Sequence, residues 1–446
     1  MSKLVVLAAL VAVNTSVAIA GSAGPAPAFA PARNYTTGSN PLSVAIGDLN
    51  GDRKPDLATA NYEEENFGAS VSVLLNTGDG RFRPRLDSAT GSHPVSVAIG
   101  DLNGDGKADL ATANIYPSDS VSVLLNKGDG SFRPKVDYAT GSAYSVAIGD
   151  LNGDGKPDLA TGNISAGTVS VLLNRGDGSF QAKLDYAIGG QPDSVAIGDL
   201  NGDGKPDLAT ANYIAKTVSV LLNSGDGSFP AKRDYRTSLR PTSVTIGDLN
   251  GDGKPDLVTT NDTAHTVSVL LNRGDGSFRA KLDVRTGGSP FSVAIGDLDG
   301  DGKPDLATAN YDRTVSVLVN RGDGTFQAKL DYATGVASRP RSVAIGDLDS
   351  DGKLDVATAN GYGHPGTVSV LINTPGLCTV QDVFGQTLPA AKRTLARANC
   401  RVGKIRRAYS KEIKRGRVIS QKPKRGTVLP NRGKVQLVVS RGKRLL

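Results

Sequence analysis

A nine-residue string concentrates the chemistry of this chain. At residues 199–207 it reads Asp-Leu-Asn-Gly-Asp-Gly-Lys-Pro-Asp, with side-chain oxygens at positions 1, 3, 5 and 9. Position 7 can add its backbone carbonyl, and a hard cation such as Ca2+ needs six to eight oxygens gathered in this way. Glycine at position 6 lets the backbone turn sharply inward, through a conformation that a side chain resists. An EF-hand would place Glu at position 12 and helices on either side. Position 12 here is Thr210, inside an apolar run, so the string joins two strands of a hairpin.

The string recurs seven times, and each copy offers the same five positions, the lysine only through its carbonyl. The first three sets are Asp48, Asn50, Asp52, Lys54 and Asp56; Asp101, Asn103, Asp105, Lys107 and Asp109; and Asp150, Asn152, Asp154, Lys156 and Asp158. The next two are Asp199, Asn201, Asp203, Lys205 and Asp207, then Asp248, Asn250, Asp252, Lys254 and Asp256. The last two are Asp297, Asp299, Asp301, Lys303 and Asp305, then Asp347, Asp349, Asp351, Lys353 and Asp355. Three or four carboxylates in one turn repel one another unless a cation neutralises them, so about seven Ca2+ sites are expected. Loops six and seven carry a fourth carboxylate, Asp299 and Asp349, where the others have Asn. Two departures weaken individual sites: Arg53 replaces Gly at position 6 of the first loop, and Ser350 replaces Gly at position 4 of the seventh.

The elements that hold these loops are legible from the repeat. The phrase Ser-Val-Ala-Ile-Gly-Asp-Leu, with Thr245 for Ala in one copy, places its Asp at intervals of 53, 49, 49, 49, 49 and 50 residues. In the fourth copy, strands are predicted at residues 194–200, 207–212 and 218–223, and from Phe229 towards Tyr235, with Gly225-Asp226-Gly227 as a hairpin turn. Four short strands per repeat of about fifty residues give an all-β, seven-bladed propeller. The last repeat stops after its third strand, near Asn373. Residues 29–38 match residues 180–189, which are a fourth strand, so residues 29–37 are read as the closing strand of blade seven and 29–373 as the propeller.

The pairing of D-x-[DN]-x-D-G-x-x-D with N-x-G-D-G-x-F resembles the FG-GAP/VCBS repeat, the unit of the integrin α-subunit head. The resemblance implies calcium on one rim and partner-binding loops on the opposite face. Tyr62, Tyr116, Tyr213, Tyr311 and Tyr362 follow second strands and should ring that face, together with Glu63, Glu64 and Glu65. His93, His265 and His364 fall on the same side but in different blades. Arg175-Gly176-Asp177, Arg273-Gly274-Asp275 and Arg321-Gly322-Asp323 spell a ligand tripeptide, yet the equivalent turns at Thr77, Lys127 and Ser224 differ, so only the Gly-Asp-Gly turn is repeated.

Charge divides the chain. Residues 374–446 hold 19 Lys/Arg and two acidic residues, a net of +17, which leaves the rest at −10 within a whole-chain charge of +7. This tail contains Asp382-Val383-Phe384-Gly385-Gln386-Thr387-Leu388 and a Q-x-P-x-x-G-T-x-[LV] run from Gln421. Helical periodicity spans residues 390–399, and strand-like runs span 416–423 and 435–440. It resembles a PASTA domain over 377–442, which implies binding to peptidoglycan or an anionic wall polymer. No reader aromatics interleave with the charges, so nucleic acid is not expected. The N-terminus has Lys3, an apolar run of about ten residues and small residues around Ala18 and Ala20, the pattern of a secretory signal at residues 1–20. No segment is long and apolar enough to span a membrane. Export makes Cys378 and Cys400 candidates for a disulfide.

The composition excludes a mostly helical protein, because Gly numbers 54 and 40 of the 44 acidic residues are Asp. Absence of Trp weighs against a Trp-lined sugar cleft. With nearly every carboxylate committed to loops or turns, the sequence reads as a secreted, calcium-binding, non-enzymatic adhesion or ligand-binding protein held at a bacterial wall. The alternative is an extracellular polysaccharide lyase or hydrolase on a calcium-stabilised propeller.

Overall fold

The computed structural model describes residues 26–62, 68–335, 339–361, 365–374, 378–397, 400–429 and 433–443. The predicted secretory signal at 1–20, Glu63–65, Tyr362 and His364 lie outside them. Two compact units are present, one over Pro31–Ile372 and one over Asn373–Leu446 together with Gly21–Ala30.

The first unit is a propeller of seven four-stranded antiparallel sheets. Blade 1 comprises Pro41–Gly47, Asp56–Asn61, Ser70–Leu74 and Leu86–Ala89, paired in sequence order. Blades 2 to 6 repeat it, with first strands starting at Pro94, Ala143, Pro192, Pro241 and Pro290. Blade 7 is built from Pro340–Gly346, Asp355–Asn360 and Thr367–Leu371, and its fourth strand is Arg33–Thr36 from the other end of the chain. Arg33 stands opposite Val370 and Thr36 opposite Thr367. This regular pairing is shorter than the predicted 29–37; upstream of it, Phe29 forms only an isolated bridge with Asn373.

Burial falls from the second strand outward. Every residue of the second strands, such as Asp-Leu-Ala-Thr-Ala-Asn at Asp207–Asn212, is buried on both faces, whereas fourth strands such as Leu184–Ala187 are largely exposed. Small residues there let neighbouring blades approach: Ala58, Ala60, Val71 and Val73 of blade 1 pack with Val97, Ile99, Leu110 and Leu124 of blade 2. Truncating a buried leucine in such a seam costs about 2–5 kcal/mol. Blade 7 closes on blade 1 through Ala357, Ala359, Val368 and Val370 against Val44, Leu57 and Leu74.

A ring of glycine–isoleucine contacts runs around the axis. A methyl at Gly47 would sit 3.1 Å from Ile99 of the next blade, and the same contact recurs through to Gly346, which would meet Ile46 at 3.2 Å. A side chain at the end of a first strand would therefore have to displace that isoleucine by a few tenths of an ångström. Serine hydroxyls stitch the same strands together, as where Val97 N–H donates to Ser43 Oγ and Val44 N–H to Ser342 Oγ, both at 3.2 Å.

Boundaries differ from the sequence reading. In blade 4 the strands are Pro192–Gly198, Asp207–Asn212, Thr217–Leu221 and Lys232–Arg236. Phe229 precedes the fourth strand rather than starting it and is buried as a plug. The third strand ends at Leu221, two residues before the predicted Asn223.

The second unit packs one helix, Leu388–Arg397, with a three-stranded sheet ordered Arg401–Ala408, Lys434–Ser440, Val418–Lys422. A two-stranded pair joins Cys378–Thr379 to Val428–Leu429. Val380, Val383, Ala391, Leu395, Cys400, Val418, Val435 and Leu437 form its core. The helix starts two residues before the predicted one, and Arg401–Ala408 is a strand the sequence reading did not include. The side chain of Cys378 lies outside the described residues. Among the described residues no helix is long and apolar enough to cross a membrane.

Candidate functional site

Each Asp-rich string forms a tight loop between the first and second strands of its blade. In loop four, Asp199 Oδ1 accepts the N–H of Gly202 at 2.7 Å and of Asp203 at 3.2 Å, while Oδ2 accepts that of Gly204 at 2.8 Å. Asn201 Oδ1 accepts from Asp203 N–H at 2.9 Å and Asp203 Oδ1 from Lys205 N–H at 3.0 Å. These bonds fix the loop backbone around the side chains of positions 1, 3 and 5. Positions 4 and 6 both have positive φ, which is why glycine dominates them; Arg53 at φ 64° and Ser350 at φ 61° hold the same conformation against a steric cost of roughly 1–2 kcal/mol. Arg53 N–H still reaches Asp48 Oδ2 at 2.7 Å.

Position 9 behaves differently from the others. Asp207 is wholly buried, and its carboxylate accepts the N–H of Leu200 at 2.9 Å and of Asn223 at 2.8 Å, tying the loop to the end of the third strand. Burial pushes its pKa up to about 6, the charges of Asp203 and Asp199 push the same way, and the two N–H donors oppose them. Asp56, Asp109, Asp158 and Asp256 repeat this at about 6, and Asp305 reaches about 7.

Loops six and seven bring three carboxylates closest together. Ligand oxygens of Asp297, Asp299 and Asp305 lie within 4.8 Å of one another, as do those of Asp347, Asp349 and Asp355. Asp299 Oδ2 is buried with no hydrogen-bond partner, and burial, then the charges of Asp301 and Asp297, push its pKa up to about 6. An orphaned buried oxygen in an all-oxygen cluster fits a hard divalent cation. Asp349 is likewise raised by burial and by Asp351. Loops one to five have Asn at position 3 and so carry three carboxylates each.

The position-7 lysines do more than the sequence reading gave them. Lys54 Nζ lies 3.1 Å from Asp52 Oδ2 and Lys303 Nζ 3.0 Å from Asp301 Oδ2, so an ammonium already shields the position-5 carboxylate. Their stems pack under the first glycine of the Gly-Asp-Gly turn: a Cβ at Gly78 would lie 3.0 Å from Lys54 Cδ. The asparagine before that turn is also functional in the fold. Asn174 Nδ2 donates to Leu102 O of the preceding blade at 2.8 Å and to Pro157 O at 2.7 Å, and its Oδ1 accepts Gly176 N–H at 2.7 Å. Asn76, Asn126, Asn223, Asn272 and Asn320 make the same inter-blade bond.

At the opposite end of the blades, second strands end and first strands begin. Of the predicted tyrosines, Tyr62, Tyr116, Tyr213 and Tyr311 lie there, three of them with partners the sequence did not single out. Tyr62 stacks on His93 with centroids 4.7 Å apart, and Arg240 lies over Tyr213 at 5.3 Å. Arg339 lies over Tyr311 at 4.7 Å and Arg341 over Phe291 at 4.0 Å, with Phe291 and Tyr311 5.9 Å apart. Tyr116 is exposed. His93 and His265 are bound to backbone: His93 Nδ1 is 2.7 Å from Tyr116 O, and His265 Nδ1 accepts Ser289 N–H at 2.8 Å. One signal did mark this face. The second residue of the first strand differs in all seven blades (Leu42, Val95, Tyr144, Asp193, Thr242, Phe291, Arg341) within an otherwise monotonous phrase.

The FG-GAP-like repeat matches residues 48–112, 111–161, 150–210, 199–259, 248–308 and 297–358, all but the second starting at the first Asp of a loop and running into the next blade. The PASTA domain matches residues 379–441. Among solved structures, BBS1N in complex with ARL6DN, soaked with mercury, is similar at 12% identity and a TM-score of 0.55, covering 78% of this chain and 97% of that one. The lead-soaked form of that complex gives 11% identity and 0.55, with 77% and 97% covered. A structure of an Agrocybe aegerita lectin recognising non-reducing terminal N-acetylglucosamine gives 21% identity and 0.49, with 75% and 86% covered. The two likenesses at 0.55 speak to the fold alone. Six consecutive repeat matches over seven blades, followed by the C-terminal match, place the chain in the FG-GAP-like repeat family, with a PASTA domain at its C-terminus.

Proposed function

We propose that this is a secreted, calcium-binding, non-enzymatic adhesion or ligand-binding protein, held at a bacterial cell wall by its basic domain. The observation that carries the reading is the Arg–aromatic cluster of Phe291, Tyr311, Arg339 and Arg341, set opposite the Asp-rich loops. Arginine stacked on a ring is pre-organised, and so loses little freedom when it grips an acidic or ring-shaped ligand. Calcium in the loops would be held by positions 1, 3, 5 and 9, with position 7 giving its carbonyl, and would stiffen the scaffold under that face. In an oxidising compartment Cys378 and Cys400 pair, bracketing the helix of the small domain.

A second reading, as a polysaccharide lyase or hydrolase, is favoured by Asp193. Its carboxyl is half-buried on the same face, burial pushes its pKa up to about 7, and it has no hydrogen-bond partner among the described residues. A group poised near neutrality can act as an acid or base. Screening the full chain on glycan and wall-polymer arrays, while following product release, separates the two. Retained ligand without product, lost in Arg341→Ala and kept in Asp193→Asn, supports the binding reading; turnover abolished by Asp193→Asn overturns it.

A further inference from the structure

The strand Arg401–Ala408 forms one edge of its sheet, pairing only with Lys434–Ser440. Its first residues approach the core, since Val402 packs against it, but Lys404, Ile405, Arg406, Arg407, Ala408 and the following Tyr409 are exposed. The ladder shifts register between Val402 and Ile405, so Lys404 stands at a bulge; beyond it side chains alternate, Arg406 projecting to one face of the strand and Ile405 and Arg407 to the other. The side chains of Lys404, Arg406 and Arg407 make no hydrogen bond or ion pair among the described residues. The one ion pair of this domain among those residues is Arg425 with Asp382, at 3.9 Å on the surface. Such a strand is held in place by its ladder and by the buried Val435, Leu437 and Val439 of its neighbour, not by its own side chains. Folding alone gives no reason to line up three uncompensated cations there.

We propose that this edge strand is the binding site for a linear phosphodiester polymer of the wall, which runs along its open edge where Lys404, Arg406 and Arg407 reach successive phosphates from both faces of the sheet. The proposal rests on the wall-associated reading above and names its ligand. Arginine meets phosphate with two parallel N–H donors, and a polyanion bound this way releases its counterions, so affinity falls steeply with salt. A single-stranded nucleic acid shares the phosphates but takes its affinity from bases stacked on successive aromatics. The strand offers only Tyr409, over which Arg441 already lies at 5.8 Å.

The test uses the full chain and the triple variant Lys404→Ala/Arg406→Ala/Arg407→Ala, titrated with poly(glycerol phosphate) across a salt series. A single-stranded DNA of equal charge and wall sacculi with and without their phosphate polymers serve as the other arms. Wild type binds poly(glycerol phosphate) more tightly than the DNA. The variant binds it about tenfold or more weakly, its log–log salt slope reduced by about 2 for three lost contacts, with an unchanged melting temperature. A variant that binds like wild type, or DNA binding that equals the polymer's, overturns the assignment. Failure to bind sacculi of either kind, alongside tight binding to the purified polymer, overturns the wall reading and leaves the strand site standing.

Discussion

The buried Asp at position 9 ties pH to stability in opposite directions with and without a cation. Its pKa is about 6 in five loops and about 7 at Asp305, above the roughly 3.9 of an unfolded Asp. Between those values the folded chain keeps protons that the unfolded chain has released. The stability these groups contribute is therefore fully present below pH of about 4 and is lost as pH rises through 6 to 7. A bound cation needs the carboxylates ionised, so it imposes the reverse slope. In EDTA the melting temperature is expected to be higher at pH 5 than at pH 7.5, and in millimolar calcium lower; parallel scanning-fluorimetry series check both, and slopes of the same sign contradict the assignment. The inter-blade asparagine gives a second residue-scale prediction. Asn174→Ala strands the carbonyls of Leu102 and Pro157, which should cost about 2–4 kcal/mol in urea unfolding, at one to two per orphaned group. The sequence exposed this asparagine as part of a motif but hid its job, because Leu102 lies 72 residues away in another blade.

At the scale of the loop, seven near-identical elements should not bind equally. Loops six and seven carry the extra carboxylates Asp299 and Asp349, and loop six keeps glycine at both positive-φ positions. Loop one needs Arg53 at φ 64°, and in loop seven Ser350 makes no bond to Asp347 like that of Gly300 to Asp297, 2.8 Å long. Loop six should therefore bind calcium most tightly and loop one most weakly, a ranking that site-resolved titration of Asp297→Asn and Asp48→Asn can reverse or uphold. At a tenfold excess over a dissociation constant of about 10⁻⁴ M, each site adds about 1.4 kcal/mol and seven add roughly 10. Complete chelation should accordingly lower the melting temperature at pH 7.5; no change there would falsify calcium as a structural ion. What the sequence made legible at this scale was whatever repeats: the loop, the glycine turns, four strands per blade. Lys205 was assigned only a carbonyl, since nothing local indicates that its stem lies beneath Gly225. The basic strand Arg401–Ala408 escaped because Arg-Val-Gly-Lys-Ile-Arg-Arg-Ala has no alternation of apolar and polar residues, and a strand exposed on both faces does not need one.

Closure is a property of the whole molecule, and it was readable because a missing strand at one end of the chain reappears at the other. Arg33–Thr36 takes the fourth place in blade 7 with the contacts its counterparts make elsewhere. Tyr35 Oη donates to Gly80 O at 3.2 Å and its ring meets Phe82 edge-on at 5.3 Å; Tyr186 does the same with Gly227 at 3.0 Å and Phe229 at 5.3 Å. Only the polar partner changes, with Ser369 Oγ donating to Asn34 Oδ1 at 2.7 Å where Ser170 donates to Asp185 at 2.5 Å. A chain beginning at residue 39 would lose the ladder, the aromatic contact and the Asn34 bond together. Its blade 7 would end on Thr367–Leu371, whose Thr-Val-Ser-Val-Leu backbone would be an unpaired, apolar edge open to a second molecule. With calcium saturating, that chain should melt well below one beginning at residue 21 and self-associate as its concentration rises, read by calorimetry and light scattering. If it instead stays monomeric at the full melting temperature, Arg33–Thr36 contributes nothing to closure, and the packing of Ala357, Ala359, Val368 and Val370 on Val44, Leu57 and Leu74, with the contact of Gly346 and Ile46, holds the ring without it.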